Sequence, residues 1–262
     1  MRIAVAATAP FGADVLERLA GSHEVAFLLT RPDAPAGRGR KVAAPPARVT
    51  AERLGIPVFQ PERPELPADF DVPTVVVCAY GLYIPPSLLE RALWLNVHPS
   101  LLPRWRGAAP VERAILAGDE LTGVTIHRTV AELDAGPIAA QEAFPIGELD
   151  AGEVYGRSAE LAARLLEAVL REGPQFVPQP EDGATYAEKI AAADRELDLS
   201  DPPAAVRRVR ALSPQIGAWA MLHERRVTVW SAHLEDGRFV PDEVQPEGRR
   251  RMSYDELVRG LR

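Results

Sequence analysis

Apolar positions along the chain fall into two alternating textures over its first two thirds. Short, continuous apolar runs at Arg2–Ala7, Glu24–Thr30, Thr74–Ala79 and Trp94–Val97 have the length and β-branched content of buried strands. Between them, Ala13–Ala20, Pro46–Leu54, Pro86–Leu93 and Ala109–Ala117 read as helices, the second with proline in its first turn and the last with Gly118 as its C-cap. Gly123–Arg128 and Ile138–Phe144 resemble paired strands. Val154–Glu172 repeats Val154, Leu161, Leu165, Leu166 and Val169 at helical spacing. This order predicts an α/β fold built on a mostly parallel, doubly wound sheet.

After Gly173 the texture changes. Pro174, Pro178 and Pro180 punctuate a linker over 174–201, ahead of a helix at Pro203–Ala211. Strands follow at Ala218–Leu222, Val227–Ala232 and Phe239–Val244, with a closing helix at Tyr254–Arg259. The expected organisation is a larger domain over 1–173, the linker, and a small β-rich domain over 202–262.

Composition narrows the setting. A chain of 262 residues can bury a sizeable core, and its apolar and charged fractions are those of a soluble globular protein. The N-terminal MRIAVAATAPFG has no long apolar signal segment and no run approaches membrane-spanning length, so a cytoplasmic, membrane-free protein is expected. Cys78 is the single cysteine, which rules out an intrachain disulfide, and its place in TVVVCA predicts core filler. The formal charge of −7 argues against a general nucleic-acid binder. The basic residues Arg31, Arg38, Arg40, Lys41 and Arg48 nevertheless stand against Asp33 alone, a local basic loop on an acidic body. That loop fits a restricted nucleic-acid contact or a solvated surface. PAGRG within it lacks the Gly-Lys-Ser/Thr ending of a phosphate loop.

The stretch NVHPSLLPRWRG carries the candidate chemistry. Asn96 and His98 are two residues apart where a strand leaves the sheet, so both side chains project to one face. Such rims are where open α/β sheets collect ligands. Asp134, in Leu133-Asp134-Ala135-Gly136, lies between two predicted strands, where a loop can return it to the imidazole. An amide donor, a titratable ring and a carboxylate suit attack by a nucleophile that the substrate brings, with the protein stabilising an oxyanion. The alternative is a structural histidine capped by the asparagine. No Cys/His cluster has metal-ligand spacing, and His127, alone on its strand, reads as structural.

Taken together, NVHPSLLPRWRGAAPVERAILAGDELTGVTI, RPDAPAGRGRK, VCAYGL, LDAG, YAEKI, RALSP and VQPEG resemble the folate-dependent formyltransferases, and within them the methionyl-tRNA formyltransferase family, in order over nearly the whole chain. The resemblance implies a Rossmann-like catalytic domain joined to a β-barrel domain similar to an OB-fold, here abbreviated. It implies Asn96, His98 and Asp134 as the catalytic triad and no metal. It implies 10-formyltetrahydrofolate as co-substrate, bound by Ser100, Leu101, Leu102 and Pro103 with Tyr80, Gly81 and Leu82. Arg38, Arg40 and Lys41 match the loop that grips initiator methionyl-tRNA, and a monomer is expected. The segment 60–74 and the C-terminal domain are shorter than that family usually carries. An amino-sugar nucleotide formyltransferase with the same folate donor is the alternative, and His127-Arg128 is the feature that resembles it.

Overall fold

The computed structural model describes residues 1–36 and 41–260. In chain order it begins with β1 (Arg2–Ala7), α1 (Pro10–Ala20), β2 (Glu24–Leu29), β3 (Ala34–Ala36), β4 (Lys41–Ala43), α2 (Pro46–Arg53) and β5 (Val58–Phe59). There follow β6 (Thr74–Cys78), α3 (Pro86–Leu89), β7 (Leu93–His98), β8 (Arg106–Gly107), α4 (Pro110–Ala117), β9 (Leu121–Arg128), β10 (Ile138–Pro145) and α5 (Ala151–Glu172). The C-terminal part holds β11 (Tyr186–Ala187), α6 (Pro202–Leu212), β12 (Ala218–Leu222), β13 (Arg225–Glu235), β14 (Arg238–Pro246), β15 (Met252–Ser253) and α7 (Tyr254–Arg259).

Seven strands form the main sheet in the order β10-β9-β7-β6-β1-β2-β5. From β7 to β5 every pair is parallel, the expected doubly wound pattern. The departure is β9, which runs antiparallel to β7. The central strands read as unbroken apolar runs because both faces are covered: β6 is buried at every position and β1 from Ile3 onward. Cys78, at the end of β6, is fully buried, and desolvation pushes its thiol well above the ordinary value.

Several element ends differ from the sequence reading for local reasons. α1 begins at Pro10 rather than Ala13, since proline is at home in a first helical turn. The helix expected over 86–93 closes after Leu89, and Leu93 joins β7 instead. Gly118 does cap α4, at φ 75°, in the left-handed region. No helix interrupts 60–73.

The packing divides the chain into two compact units, each assembled from three stretches: Met1–Arg106, Gly123–Ala143 and Gly156–Thr185 form one; Gly107–Thr122, Phe144–Tyr155 and Tyr186–Arg262 form the other. In the second unit, the expected abbreviated barrel takes the form of a four-stranded antiparallel sheet in the order β12-β13-β14-β15. α6 packs on β13 and against α4. Arg113 of α4 donates to Asp194 and to the carbonyls of Glu188 and Lys189, and Arg210 of α6 donates to the carbonyls of Gly147 and Leu149. Among the described residues, no helix is long and apolar enough to cross a membrane.

Candidate functional site

β7 delivers Asn96 and His98 to one face, as the two-residue spacing requires. The antiparallel neighbour β9 adds something the parallel expectation did not contain: its register sets His127 directly opposite Asn96 and Thr125 opposite His98. His127, read from sequence as an isolated structural residue, therefore stands inside the cluster. Its ring meets that of His98 edge-on, with centroids 6.4 Å apart. Both imidazoles are almost completely buried.

Asp134 returns on the loop after β9. Its Oδ1 accepts from Asn96 Nδ2 at 3.1 Å, and its Oδ2 lies 3.6 Å from His98 Nδ1. Asn96, His98 and Asp134 thus converge. Asp134 has φ 49°, a left-handed conformation that aspartate tolerates better than most residues. Two residues on, a Cβ at Gly136 would stand 1.8 Å from the Arg128 carbonyl, so only glycine lets the loop close over the end of β9.

The carbonyl partners fix the tautomers. His98 Nε2 donates to the Trp105 carbonyl at 2.8 Å, which leaves Nδ1 as the atom facing Asp134. His127 Nδ1 donates to the Arg128 carbonyl at 3.0 Å, so its Nε2 accepts from Asn96 Nδ2 at 2.9 Å. Both amide hydrogens of Asn96 are therefore engaged, one by His127 and one by Asp134. Donation to a substrate oxygen requires exchanging one of them. Burial pushes the His98 imidazole below its ordinary 6.5, opposed by the Asp134 carboxylate and the Trp105 carbonyl, while His127 adds to the lowering. The resting ring is neutral near pH 7. Its free Nδ1 can take a proton, and the cation formed would sit against a carboxylate.

The loop Ser100–Pro103 is held rigid from within. Ser100 Oγ donates to the Arg104 carbonyl at 2.7 Å; Thr125 Oγ1 donates to the Ser100 carbonyl and accepts from the Leu102 N–H and from Gln141 Nε2. The Ser100 hydroxyl is thus occupied by its own loop. Leu101 packs beside Gly123, Leu102 is buried and Pro103 is half-buried. Tyr80 is buried in a cluster with Phe27, Leu66, Val72, Ile84 and Leu88, with Leu82 packed against it. Its hydroxyl has no partner among the described residues and is pushed up to about 12 by burial, with Arg31 opposing. Gly81 takes φ 77° in the exposed turn that follows.

The basic loop has a paired stem: β3 and β4 form an antiparallel hairpin in which Ala36 faces Lys41. Lys41 is exposed. Arg38 and Arg40 lie outside the described residues. Arg48, counted above as part of the basic loop, is engaged by Asp33 at 2.7 Å and by Glu52 at 2.7 Å, which reduces the free positive charge there. Among the described residues, no group of three or more His, Cys, Asp or Glu side chains is arranged to hold a metal.

Comparison with known proteins gives the family. Residues 1–170 match the formyl transferase family model, and residues 189–242 match that of the formyl transferase C-terminal domain. Methionyl-tRNA formyltransferase of Cereibacter sphaeroides is 41% identical, covering 100% of this chain and 96% of the relative. Among solved structures, methionyl-tRNA formyltransferase from Clostridium thermocellum aligns with a TM-score of 0.68 at 15% identity, over 94% of this chain and 98% of that one. An N-formyltransferase from Helicobacter canadensis, in complex with folinic acid and dTDP-3-aminofucose, aligns at 0.63 and 16% identity, over 96% and 98%. At such identities these two structures carry the fold alone. By family model and by full-length identity, the chain belongs to the formyl transferase family, among the methionyl-tRNA formyltransferases.

Proposed function

We propose that this protein transfers a formyl group from 10-formyltetrahydrofolate to the α-amine of initiator methionyl-tRNA, the step that prepares the tRNA for translation initiation. The observation that carries the reading is the convergence of Asn96, His98 and Asp134 at the end of β7, with no protein nucleophile among them. The donor supplies an N-formyl carbon open to attack by an amine. The fit is supported by the Tyr80 hydroxyl, buried among apolar side chains with no partner among the described residues, which suits a flat heterocycle with polar edges, and by the rigid Ser100–Pro103 loop.

His98 Nδ1 takes the proton that the attacking amine sheds as the new C–N bond forms. The imidazolium is stabilised by Asp134 Oδ2 and returns the proton to the departing nitrogen as the old C–N bond breaks. Asn96 turns one N–H from its internal acceptors to the oxygen on which negative charge develops. Arg38, Arg40 and Lys41 supply positive charge for tRNA phosphates. The reading takes the protein as a monomer, which is supported by Asn96, His98 and Asp134 coming from one chain, and as cytoplasmic, where translation initiation uses its tRNA product.

The test offers 10-formyltetrahydrofolate with methionyl-tRNA and, separately, with an amino-sugar nucleotide. Formylation of the tRNA alone is expected. Formylation of the sugar nucleotide in its place overturns the assignment.

A further inference from the structure

Two residues beside the candidate chemistry hold backbone conformations that side-chain-bearing residues rarely adopt: Asp134 at φ 49° and Trp105 at φ 65°. Each has a task. Asp134 faces the His98 ring, and the Trp105 carbonyl accepts the proton of His98 Nε2 and so fixes the tautomer. Such conformations persist only where neighbours over-determine them.

Both are held by one segment that belongs to no catalytic strand. Gln179 Nε2 donates to the carbonyls of Asp134 and Gly136, at 2.8 Å each. Its Oε1 accepts from Arg106 Nε at 3.1 Å and Nη2 at 2.6 Å. The side-chain amide thus uses both hydrogens and its oxygen, and ties the Asp134 loop to the residue after Trp105. Six residues further on, Thr185 Oγ1 accepts from the Trp105 N–H at 2.9 Å, and the Thr185 carbonyl accepts from the Arg106 N–H at 2.8 Å. The segment is itself anchored at its start, where Val177 and Ile138 exchange both backbone hydrogen bonds, at 2.7 and 2.9 Å.

We propose that Gln179 and Thr185 are positioning residues for formyl transfer. The chain from 177 to 185 braces the two sides of His98 at once, setting the carboxylate against Nδ1 through Gln179 and the acceptor of Nε2 through Thr185. This rests on the assignment of His98 and Asp134 to the chemistry. A brace of this kind acts on the rate rather than on binding: it fixes distances in a site where displacement of about 1 Å costs about 10²-fold. It also acts on the ring's proton affinity, because a slack Asp134 loop takes the carboxylate away from the cation it favours.

The test compares the parent with Q179A, Q179E, T185V, T185S and D134N. The measurements are steady-state formyl transfer, thermal unfolding, and titration of the His98 ring by NMR. Q179E keeps the acceptor for Arg106 but loses both donors; T185S keeps the hydroxyl that T185V removes. The expected result is that Q179A and Q179E lose about 10–10²-fold in kcat with the folate KM little changed. The His98 ring should titrate lower in Q179A than in the parent. T185V should also lose kcat, and T185S should restore it. Should Q179A not fold, Q179E and the Thr185 pair decide. Parent-like kcat and parent-like His98 titration in the Gln179 variants, beside an inactive D134N, overturn the brace and leave the catalytic assignment standing. Loss of kcat that merely follows loss of thermal stability, with the titration unmoved, overturns it as well. An active D134N overturns the catalytic assignment itself, and the brace with it.

Discussion

The cluster at the end of β7 and the hairpin of β3 and β4 solve opposite problems. In the first, two imidazoles are almost wholly removed from water beside a half-buried amide and carboxylate, and the side chains are fixed by named partners: Asn96 by His127 and Asp134, His98 by the Trp105 carbonyl, His127 by the Arg128 carbonyl. In the second, the stem is a short exposed pairing whose Lys41 stands in solvent. Buried polar groups exert strong, short-ranged, directional effects because the surroundings do not screen them. Exposed charges act at longer range, tolerate displacement and weaken with salt. The chemistry should therefore fail abruptly on single substitutions in the cluster, whereas tRNA capture should decline by degrees.

The largest effect is expected from the cluster. His98→Ala and Asp134→Ala should each lower kcat by at least about 10²–10³-fold, with cooperative unfolding retained, as removal of one preorganised group typically does. His127→Leu sharpens the comparison. It strands one Asn96 N–H in a buried setting, so a smaller fall in kcat should come with a stability loss of about 1–3 kcal/mol, read from urea unfolding. In the basic segment of the sequence, replacing Arg38 and Arg40 by Ala should raise the KM for tRNA while leaving the folate KM alone. It should also flatten the salt dependence by about one unit of log–log slope per lost phosphate contact. An unchanged slope would leave the hairpin with only a structural part.

The smallest effect separates the two regions by pH. Because burial lowers the folded-state value of His98 below 6.5, the unfolded chain binds more protons between the two values. Stability then drops as pH falls from about 6.5 toward the lowered value. The urea midpoint of the parent should fall more over that window than that of His98→Asn, while the hairpin variants should track the parent.

Much of this was legible in the chain because it follows from period and neighbour chemistry. A spacing of two on a strand put Asn96 and His98 on one face, and the buried run TVVVC declared a central strand. The basic character of the hairpin was visible as well, though its pairing was not, since Ala34–Ala36 and Lys41–Ala43 are too short to show alternation. The place of His127 beside Asn96 was not legible, because it depends on β9 running antiparallel to β7, a matter of sheet register that no local pattern records. Gln179 was hidden for a similar reason: in sequence it is one residue of a proline-punctuated linker, and its four hydrogen bonds reach residues 43 to 73 positions away. The shortened α3 reflects competition for Leu93, which pairs with Thr74 at the start of β7.

The central claim is that a carboxylate at 134, facing the free nitrogen of a buried imidazole, lets the ring carry the proton between attacking and departing nitrogens. Single-turnover formylation of methionyl-tRNA by the isosteric Asp134→Asn variant, with both substrates saturating, tests it most directly. The expected rate is lower by at least about 10²-fold in a protein that melts like its parent. A rate indistinguishable from the parent's would contradict it.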